Sequence, residues 1–527
     1  GFDQSFVNYY GFDHTGKRLS SNPSLDDFFT QKDEFGNFTR PVAAFEPIYF
    51  AGFIMDKFAF NDIIFNVGVR VDRFDANQPV LKDKYLLRPA KTVAEVGDLG
   101  PHPSNMGDDF VVYVNDINSP TAINGYRSGN TWYNADGIEI TDPRTIESPN
   151  GIAPYLADGV SPTDQVNSNA FEDYQPSIIV MPRISFSFPI SEDALFFAHY
   201  DILSQRPTTG IRSNPLDYLY IENISANTIN NPDLRPTRTI DYEVGFQQVL
   251  SRSSSLKIAG FYREQRDEIT VINVAGAYPK TYRSFGNLDF GTVKGLTLTY
   301  DKRKSKNLWM KVSYTLQFAE GTGSSAGSSL ALINSGQPNL RAIFPYSYDQ
   351  RHAVNATVDF RYGEDKDYNG PVIAGKKILE NTGVNFTANF ASGTPYSAAK
   401  SAVPLTGELA PVLSGTPNGS RNPSQFRVAL QLDRNFMLKM GSKKQKTAAL
   451  NVYLLFNNLL NARNILGVYR ATGNADDDGY LSDAQFQSII AAQIDEASFR
   501  EYYALRMNNP FNYSLPRTIR LGVKLDF

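Results

Sequence analysis

The sequence predicts an all-β protein, a transmembrane antiparallel β-barrel with long extracellular loops and short periplasmic turns. Three observations lead to this fold class. Segments with alternating apolar and polar residues recur along the chain. The connections between these segments alternate between short and long. The 527 residues also contain no apolar run of ~18 residues, so membrane-spanning helices are not predicted.

The C-terminal segment 517–527 shows the alternation most clearly. Its apolar residues are Ile519, Leu521, Val523, Leu525 and Phe527, and each is separated from the next by a polar residue or glycine. Side chains on a strand point to opposite faces with a period of two. About ten residues suffice to cross a bilayer as a tilted strand. The segment therefore predicts a strand with lipid on one face and water on the other.

The same alternation occurs in earlier segments. These are 65–72, 184–188, 242–246, 296–300, 308–318, 354–362, 384–390, 426–432 and 450–456. Their second face carries charged and amide groups, such as Arg427, Gln431 and Asp433, which could not face lipid without partners. Counting by the period of two predicts about thirteen strands.

The predicted connections fall into two classes of length. Short turns are expected at 61–62, 189–193, 251–255, 303–306 and 440–446, with a longer turn at 363–380. Long connections are expected at 76–178, 204–236, 268–287, 320–349, 392–424 and 458–515. Short turns at one end and long loops at the other are typical of outer-membrane barrels. A soluble domain should rarely contain a loop as long as 76–178.

The order of the strands predicts how the chain is organised. If Phe527 ends the final strand on the short-turn side, segment 1–45 is an extracellular loop that precedes a descending first strand at about 46–60. Bacterial barrels have an even number of strands, and thirteen is odd. We therefore expect 46–527 to be the C-terminal portion of a larger barrel, with 76–178 and 458–515 as long extracellular loops. A start at Gly1 without a basic or apolar leader fits this expectation.

Composition excludes several classes of function. A formal net charge of −4 argues against nucleic acid as a partner. The absence of cysteine excludes thiolate metal sites, cysteine nucleophiles and disulfides. The four histidines have no neighbouring acid or histidine at metal-ligand spacing, and there is no nucleophile elbow or phosphate loop. An enzyme is therefore not predicted.

Several short motifs occur in a fixed order along the chain. They lie at 68–74 (Gly-Val-Arg-Val-Asp-Arg-Phe), 182–189, 231–236 (Asn-Pro-Asp-Leu-Arg-Pro) leading into 240–246, 291–295, 392–396 and the terminal segment from Leu515. Together they resemble the TonB-dependent outer-membrane transporters of the Bacteroidota type, including the SusC/RagA-like group. The resemblance covers nearly the whole chain from Glu46 onward.

The resemblance implies a function and a set of partners. Barrels of this family have roughly 22 strands, so the strands here would be about the last thirteen. It implies TonB-dependent active uptake of a nutrient ligand across the bacterial outer membrane. The implied partners are outer-membrane lipid, an N-terminal plug with the early strands, TonB and a SusD-like lipoprotein. The alternative is a non-transporting structural barrel subunit of a larger outer-membrane complex, which a missing upstream plug and TonB box would favour.

An acidic segment near the C-terminus fits the template of a calcium loop. The predicted ligands are Asn474, Asp476, Asp478, Tyr480 through its carbonyl, and Ser482. Gly479 takes the sharp-turn position, whereas Gln485 stands where the template has a bidentate glutamate, and no entering helix is evident. Two interpretations stay open, a solvated acidic turn and a site for Ca²⁺. No other cofactor is predicted.

A helix is expected directly after this acidic segment. Ser482 would cap it, and Phe486, Ile490 and Ile494 would share one face.

Overall fold

One antiparallel sheet dominates the computed structural model, which describes residues 10–223, 227–334, 339, 341–405, 412–440 and 446–526. Within these residues, thirteen strands follow one another across the sheet in chain order. They are β1 (Ile48–Phe60), β2 (Ile63–Asp75), β3 (Ser177–Ser191), β4 (Ala194–Gln205), β5 (Thr237–Ser251), β6 (Ser254–Val274), β7 (Tyr282–Ser305), β8 (Leu308–Gly321), β9 (His352–Arg361), β10 (Thr382–Ala391), β11 (Gln425–Met440), β12 (Lys446–Asn457) and β13 (Thr518–Asp526). All neighbouring pairs are antiparallel, which confirms the predicted fold class.

Shorter elements lie in the connections. The α-helices are α1 (Leu25–Thr30), α2 (Pro215–Leu219), α3 (Leu330–Asn334), α4 (Gln487–Ala491) and α5 (Glu496–Met507). The short strands are Pro79–Leu81, Val111–Val114, Ile123–Ser128, Thr131–Asn134, Glu139–Ile140, Phe171–Asp173, Thr228–Ile229, Phe344–Pro345, Val372–Ile373, Lys376–Lys377, Pro395–Tyr396 and Ser420–Arg421. In the part of the chain that the structure describes, no helix has the length and apolar character needed to cross a membrane.

The predicted alternation produces one exposed apolar face on the sheet. On β13, Ile519, Leu521 and Val523 are 59%, 75% and 64% exposed. Strand pairing keeps apolar residues together on this face, since Leu521 is the register partner of Leu454. Phe527, the reference point of the strand count, lies outside the described residues. An extended apolar surface of this kind marks a site of contact with a membrane or with another protein.

The opposite face of the sheet is polar, and several of its charges are paired across strands. Arg361 on β9, Gly383 on β10 and Asp433 on β11 are successive register partners. The Arg361 guanidinium donates two hydrogen bonds of 2.8 and 2.7 Å to the Asp433 carboxylate. A Cβ atom at Gly383 would lie 2.3 Å from this guanidinium. Glycine therefore lets the arginine side chain cross the middle strand and satisfy a carboxylate that is 5% exposed.

Most of the predicted connections are confirmed, and one is wrong. Short turns join β1 to β2, β3 to β4, β5 to β6 and β7 to β8 at one end of the sheet, and residues 441–445 of another predicted turn lie outside the described residues. A long connection was expected at 268–287, but β6 and β7 continue through it and leave only 275–281 between them. The pairing register shifts near Glu268, and Asp267 has a φ of 58°. Such a bulge inserts an extra residue, so the alternation of apolar and polar residues changes phase there and no longer predicts a continuous strand.

The longest connection, 76–176, is a folded unit rather than an open loop. Four of its short strands form a sheet of their own, in which Ile123–Ser128 is a central strand. Val112 and Val114 are 0% exposed and pack with Tyr126, which is 1% exposed. This local core offsets the entropy of ordering so long a segment.

Candidate functional site

A cavity of about 960 Å³ lies where connection 76–176 meets the extended ends of β6 and β7. Most of its lining comes from four stretches that are distant in sequence, namely 81–85, 127–130, 231–235 and 272–288. The volume falls in the range of roughly 300–1,000 Å³ that is typical of small-molecule sites. Charged side chains, amides and tyrosines provide much of the lining. The cavity is therefore suited to a polar ligand.

The wall formed by 231–236 is held against β7 by two asparagines. Asn231 donates from Nδ2 to the Phe285 carbonyl at 2.9 Å. Asn287 accepts from the Arg235 backbone N–H at 2.9 Å and donates to the Arg235 carbonyl at 2.9 Å. Leu234, which lies between Asn231 and Arg235 in the sequence, is 0% exposed. These bonds anchor the backbone on both sides of Asp233, which lines the cavity.

A buried arginine organises the opposite wall. Arg127 is 4% exposed, and its guanidinium donates to the Tyr113 hydroxyl at 2.9 Å and to the Gly129 carbonyl at 2.8 Å. It also forms an ion pair with Asp83 and lies 4.8 Å from the centroid of the Tyr85 ring. Asp83 belongs to the lining stretch 81–85 and Gly129 to the stretch 127–130. The arginine therefore joins these two stretches into one wall.

Lys84 and Asp233 place opposite charges in the same cavity. Burial lowers the pKa of the Lys84 amine, while the nearby Asp83 carboxylate raises it to a smaller extent. Burial raises the pKa of the Asp233 carboxyl, and Arg235 acts in the opposite direction. Within the described ranges, neither side chain takes part in an ion pair of 4.0 Å or less. Each is therefore available to bind a ligand, the amine as a donor and the carboxylate as an acceptor.

In the acidic segment, the carboxylates predicted as calcium ligands contact tyrosines. Asp478 is 2% exposed, and it accepts hydrogen bonds from the Tyr503 hydroxyl at 2.6 Å and from the Tyr480 backbone N–H at 2.9 Å. Asp476 accepts from the Tyr513 hydroxyl. Across the part of the chain that is described, no group of three or more His, Cys, Asp or Glu side chains could hold a metal ion.

The remaining candidate ligands make local turn contacts. Asn474 accepts from the Asp476 backbone N–H at 3.0 Å, and Ser482 donates from its hydroxyl to the Gly479 carbonyl at 3.1 Å. Gly479 has a φ of 82°, as a sharp turn requires. Calcium binding by Asn474, Asp476, Asp478, Tyr480 and Ser482 stays a prediction.

The helix expected after the acidic segment is interrupted. A 3₁₀ turn, Ala484–Phe486, is capped by Asp483 rather than Ser482, and α4 then ends at Ala491. Ile490 is 0% exposed, whereas Ile494 lies beyond the helix and is fully exposed. The predicted apolar face is therefore correct for Phe486 and Ile490 and wrong for Ile494.

Sequence reasoning did not identify the cavity residues Lys84 and Arg127. Asp233 lies inside the motif 231–236, so a signal existed there, although the motif does not reveal a cavity. No local sequence pattern marks Lys84 as a cavity residue, since the other stretches that line the cavity are far away in sequence.

The chain belongs to the TonB-dependent receptor family. Residues 1–459 match the family model described as TonB dependent receptor-like, beta-barrel. Members are outer-membrane β-barrel receptors involved in transport rather than enzymes, so the exposed apolar face of the sheet is the face expected to contact lipid. No curated protein matches the chain at a significant level.

Solved structures of receptors are similar to this chain at low identity. The ferric-catecholate import receptor Fiu of E. coli K12 is 11% identical, with 83% of this chain and 46% of Fiu covered and a TM-score of 0.41. The siderophore receptor PiuA of Acinetobacter baumannii is 12% identical, with coverage of 81% and 40% and a TM-score of 0.39. The hemophore receptor HasR of Serratia marcescens, solved with HasA and heme, is 12% identical, with coverage of 80% and 50% and a TM-score of 0.42. The chain thus spans half or less of the length of these receptors.

Proposed function

We propose that the protein takes part in TonB-dependent active uptake of a nutrient ligand across the bacterial outer membrane. Family membership supports this class of function. The observation that carries the proposal is the polar cavity of about 960 Å³ between connection 76–176 and the ends of β6 and β7. Lys84 and Asp233 would contact the ligand there, and Arg127 would hold the wall in place.

The orientation in the membrane forms part of the proposal. Segment 1–45 would be an extracellular loop, and 46–527 would be the C-terminal portion of the transmembrane barrel. Connections 76–178 and 458–515 would lie outside the cell, and the short turns would face the periplasm. The contrast between short and long connections at the two ends of the sheet supports this orientation. The cavity would then open toward the extracellular side.

The subtype and the partners also belong to the proposal. The order of the motifs, in particular 231–236 leading into β5, supports a receptor of the SusC/RagA-like Bacteroidota type. The expected partners are an N-terminal plug with the early strands, TonB, and a SusD-like lipoprotein over the long connections. A ligand held in the cavity would pass along the polar face of the sheet once TonB displaces the plug.

A growth experiment tests this function. Cells lacking the gene are complemented with the wild type or with Asn130→Trp, which places a large side chain at the cavity lining. Asp136→Trp, an exposed turn residue of the same connection that does not line the cavity, is the matched control. The strains are grown on limiting glycans, peptides or ferric chelates as defined nutrient sources.

We expect growth on one class of nutrient to require the gene and TonB. Asn130→Trp should impair that growth, and Asp136→Trp should restore it fully. Growth that is independent of the gene on every source, or that requires the gene without TonB, would contradict uptake. The second result would favour the structural barrel subunit.

A further inference from the structure

One acidic residue lies on the apolar face of the sheet. Asp56 on β1 is the register partner of Val67 on β2, which pairs in turn with Ile184 on β3. Register partners point to the same side of an antiparallel sheet, and Val67 and Ile184 are 40% and 43% exposed on the apolar face. The Asp56 side chain therefore points away from the polar face, along which a plug and a passing ligand would lie.

The position of Asp56 along β1 places it within the apolar band. Its neighbours on the same strand and face, Ile54 and Phe58, are 72% and 46% exposed. The Phe58 ring stacks on Phe65 with 5.2 Å between the ring centroids, and Phe65 lies 6.1 Å from Phe186. A row of rings on the outer face is typical of the aromatic girdle at the membrane interface. Asp56 lies one position further from the β1–β2 turn than this row, which corresponds to hydrocarbon depth.

No group in the described part of the chain compensates this carboxylate. Among the described residues, the Asp56 side chain is exposed and takes part in no hydrogen bond or ion pair. Its register partner on β2, Val67, has no polar side-chain group. A charged group at hydrocarbon depth is costly and is almost always paired. Asp56 therefore requires a partner on its other side.

The other side of β1 is an open strand edge. Within the described ranges, β1 pairs with β2 alone and stands at one end of the sheet. The chain belongs to a family of β-barrels, and a barrel in lipid has no free edge, because unpaired backbone N–H and C=O groups are costly there. A further strand of the receptor must therefore pair with β1 and pass directly beside Asp56.

We propose that this adjoining strand presents a hydrogen-bond donor to the Asp56 carboxylate on the outer face of the barrel. The inference rests on the early strands expected under the proposed function. A carboxylate only accepts hydrogen bonds, so the partner carries an N–H or O–H group, as Arg, Lys, Tyr and Trp do. At hydrocarbon depth water does not compete for this charge-assisted bond. The bond would fix the register of the adjoining strand on β1, because a slip by one residue would turn the donor to the polar face.

The unfolding rate of the full receptor tests this contact. Asp56→Leu replaces the carboxylate by an apolar side chain of similar size, and Asp56→Asn keeps one acceptor oxygen. Val67→Leu is the matched control, an apolar change at the register partner on the same face. Heat-modifiable gel migration follows unfolding with time at a fixed temperature. The detergent is dodecylphosphocholine, whose headgroup has no N–H or O–H donor.

We expect Asp56→Leu to unfold about fivefold faster or more, because the donor on the adjoining strand is left without a partner. Asp56→Asn should unfold more slowly than Asp56→Leu, and Val67→Leu should stay within about twofold of the wild type.

A carboxylate without a partner predicts the opposite sign. Asp56→Leu would then unfold more slowly than the wild type, since a charge is removed from the lipid face. That result, an unchanged rate, or an equal effect of Val67→Leu would overturn the contact. A loss that appears only after phosphatidylethanolamine is added would assign the donor to a lipid headgroup and also overturn it. None of these outcomes bears on uptake, which the growth experiment tests separately.

Discussion

Replacing Arg127 by methionine tests whether this arginine holds the wall of the large cavity. The change removes a guanidinium that is 4% exposed and keeps an unbranched apolar side chain of similar length. Asp83 loses its ion-pair partner, and the Tyr113 hydroxyl and the Gly129 carbonyl each lose a donor. We therefore expect the two segments of this wall to separate more readily.

The magnitude follows from the burial of the partners. Breaking a buried ion pair costs about 3–5 kcal/mol. The Asp83 side chain is 28% exposed, so water can partly replace the arginine there. The Tyr113 residue is 0% exposed, so its hydroxyl cannot be rehydrated in place. We expect a net loss of about 3 kcal/mol in the local stability of connection 76–176.

Hydrogen exchange read by mass spectrometry measures this loss. Peptides from connection 76–176 should exchange about a hundredfold faster in Arg127→Met, while peptides from β10 to β13 should be unchanged. Arg144→Met is the control in the same connection, because Arg144 is 53% exposed and its pair with Asp142 should contribute less than about 1 kcal/mol. Equal exchange in the two variants would refute the structural role of Arg127. Adding Asp83→Asn to Arg127→Met should recover part of the loss.

Three further predictions concern other parts of the chain. Burial raises the pKa of the Asp217 carboxyl from 3.8 to about 6, so the free energy of unfolding should fall as the pH rises from about 4 to 6. Asp217→Asn should therefore stabilise the protein at pH 7 by at most about 3 kcal/mol and flatten the dependence of the melting temperature on pH. If the acidic segment binds calcium, a chelator should increase proteolysis of the last long connection in the wild type but not further in Asp478→Asn. Insensitivity of the wild type would favour an ion-free turn whose carboxylates accept hydrogen bonds from tyrosines. A Cβ atom at Gly522 would lie 2.2 Å from the Tyr453 ring, so Gly522→Ala should cost about 1–3 kcal/mol in denaturant unfolding, whereas Gly260→Ala, with its nearest atom at 3.9 Å, should cost less.

The two faces of the sheet could be predicted from the sequence because a period of two is a local property. Leu521 and Val523 are exposed on the apolar face as their spacing required. The partner of Asp433 could not be predicted, since Arg361 is 72 residues away and reaches it across a glycine on the strand between. Where a bulge breaks the period, as near Glu268, the pattern failed even for the strands themselves.

The candidate sites depend on contacts that sequence patterns do not encode. Lys84 and Asp233 share a cavity only because connection 76–176 folds onto the ends of β6 and β7. The acidic template was visible in the sequence, but the tyrosine hydroxyls that contact Asp476 and Asp478 were not. Local spacing thus identified the element types, and tertiary packing determined which polar groups meet.

Labelling of single cysteines in intact cells tests most directly whether the large cavity faces outward. The chain has no cysteine, so each introduced thiol is the only reactive one in it. Asn130→Cys reports on the cavity, and Lys304→Cys reports on the short-turn end of the sheet. A polymer-linked maleimide that cannot cross the outer membrane should label Asn130→Cys in intact cells and Lys304→Cys only after the membrane is permeabilised. Labelling of Lys304→Cys in intact cells, with Asn130→Cys protected, would contradict the proposed orientation and the capture of ligand from outside.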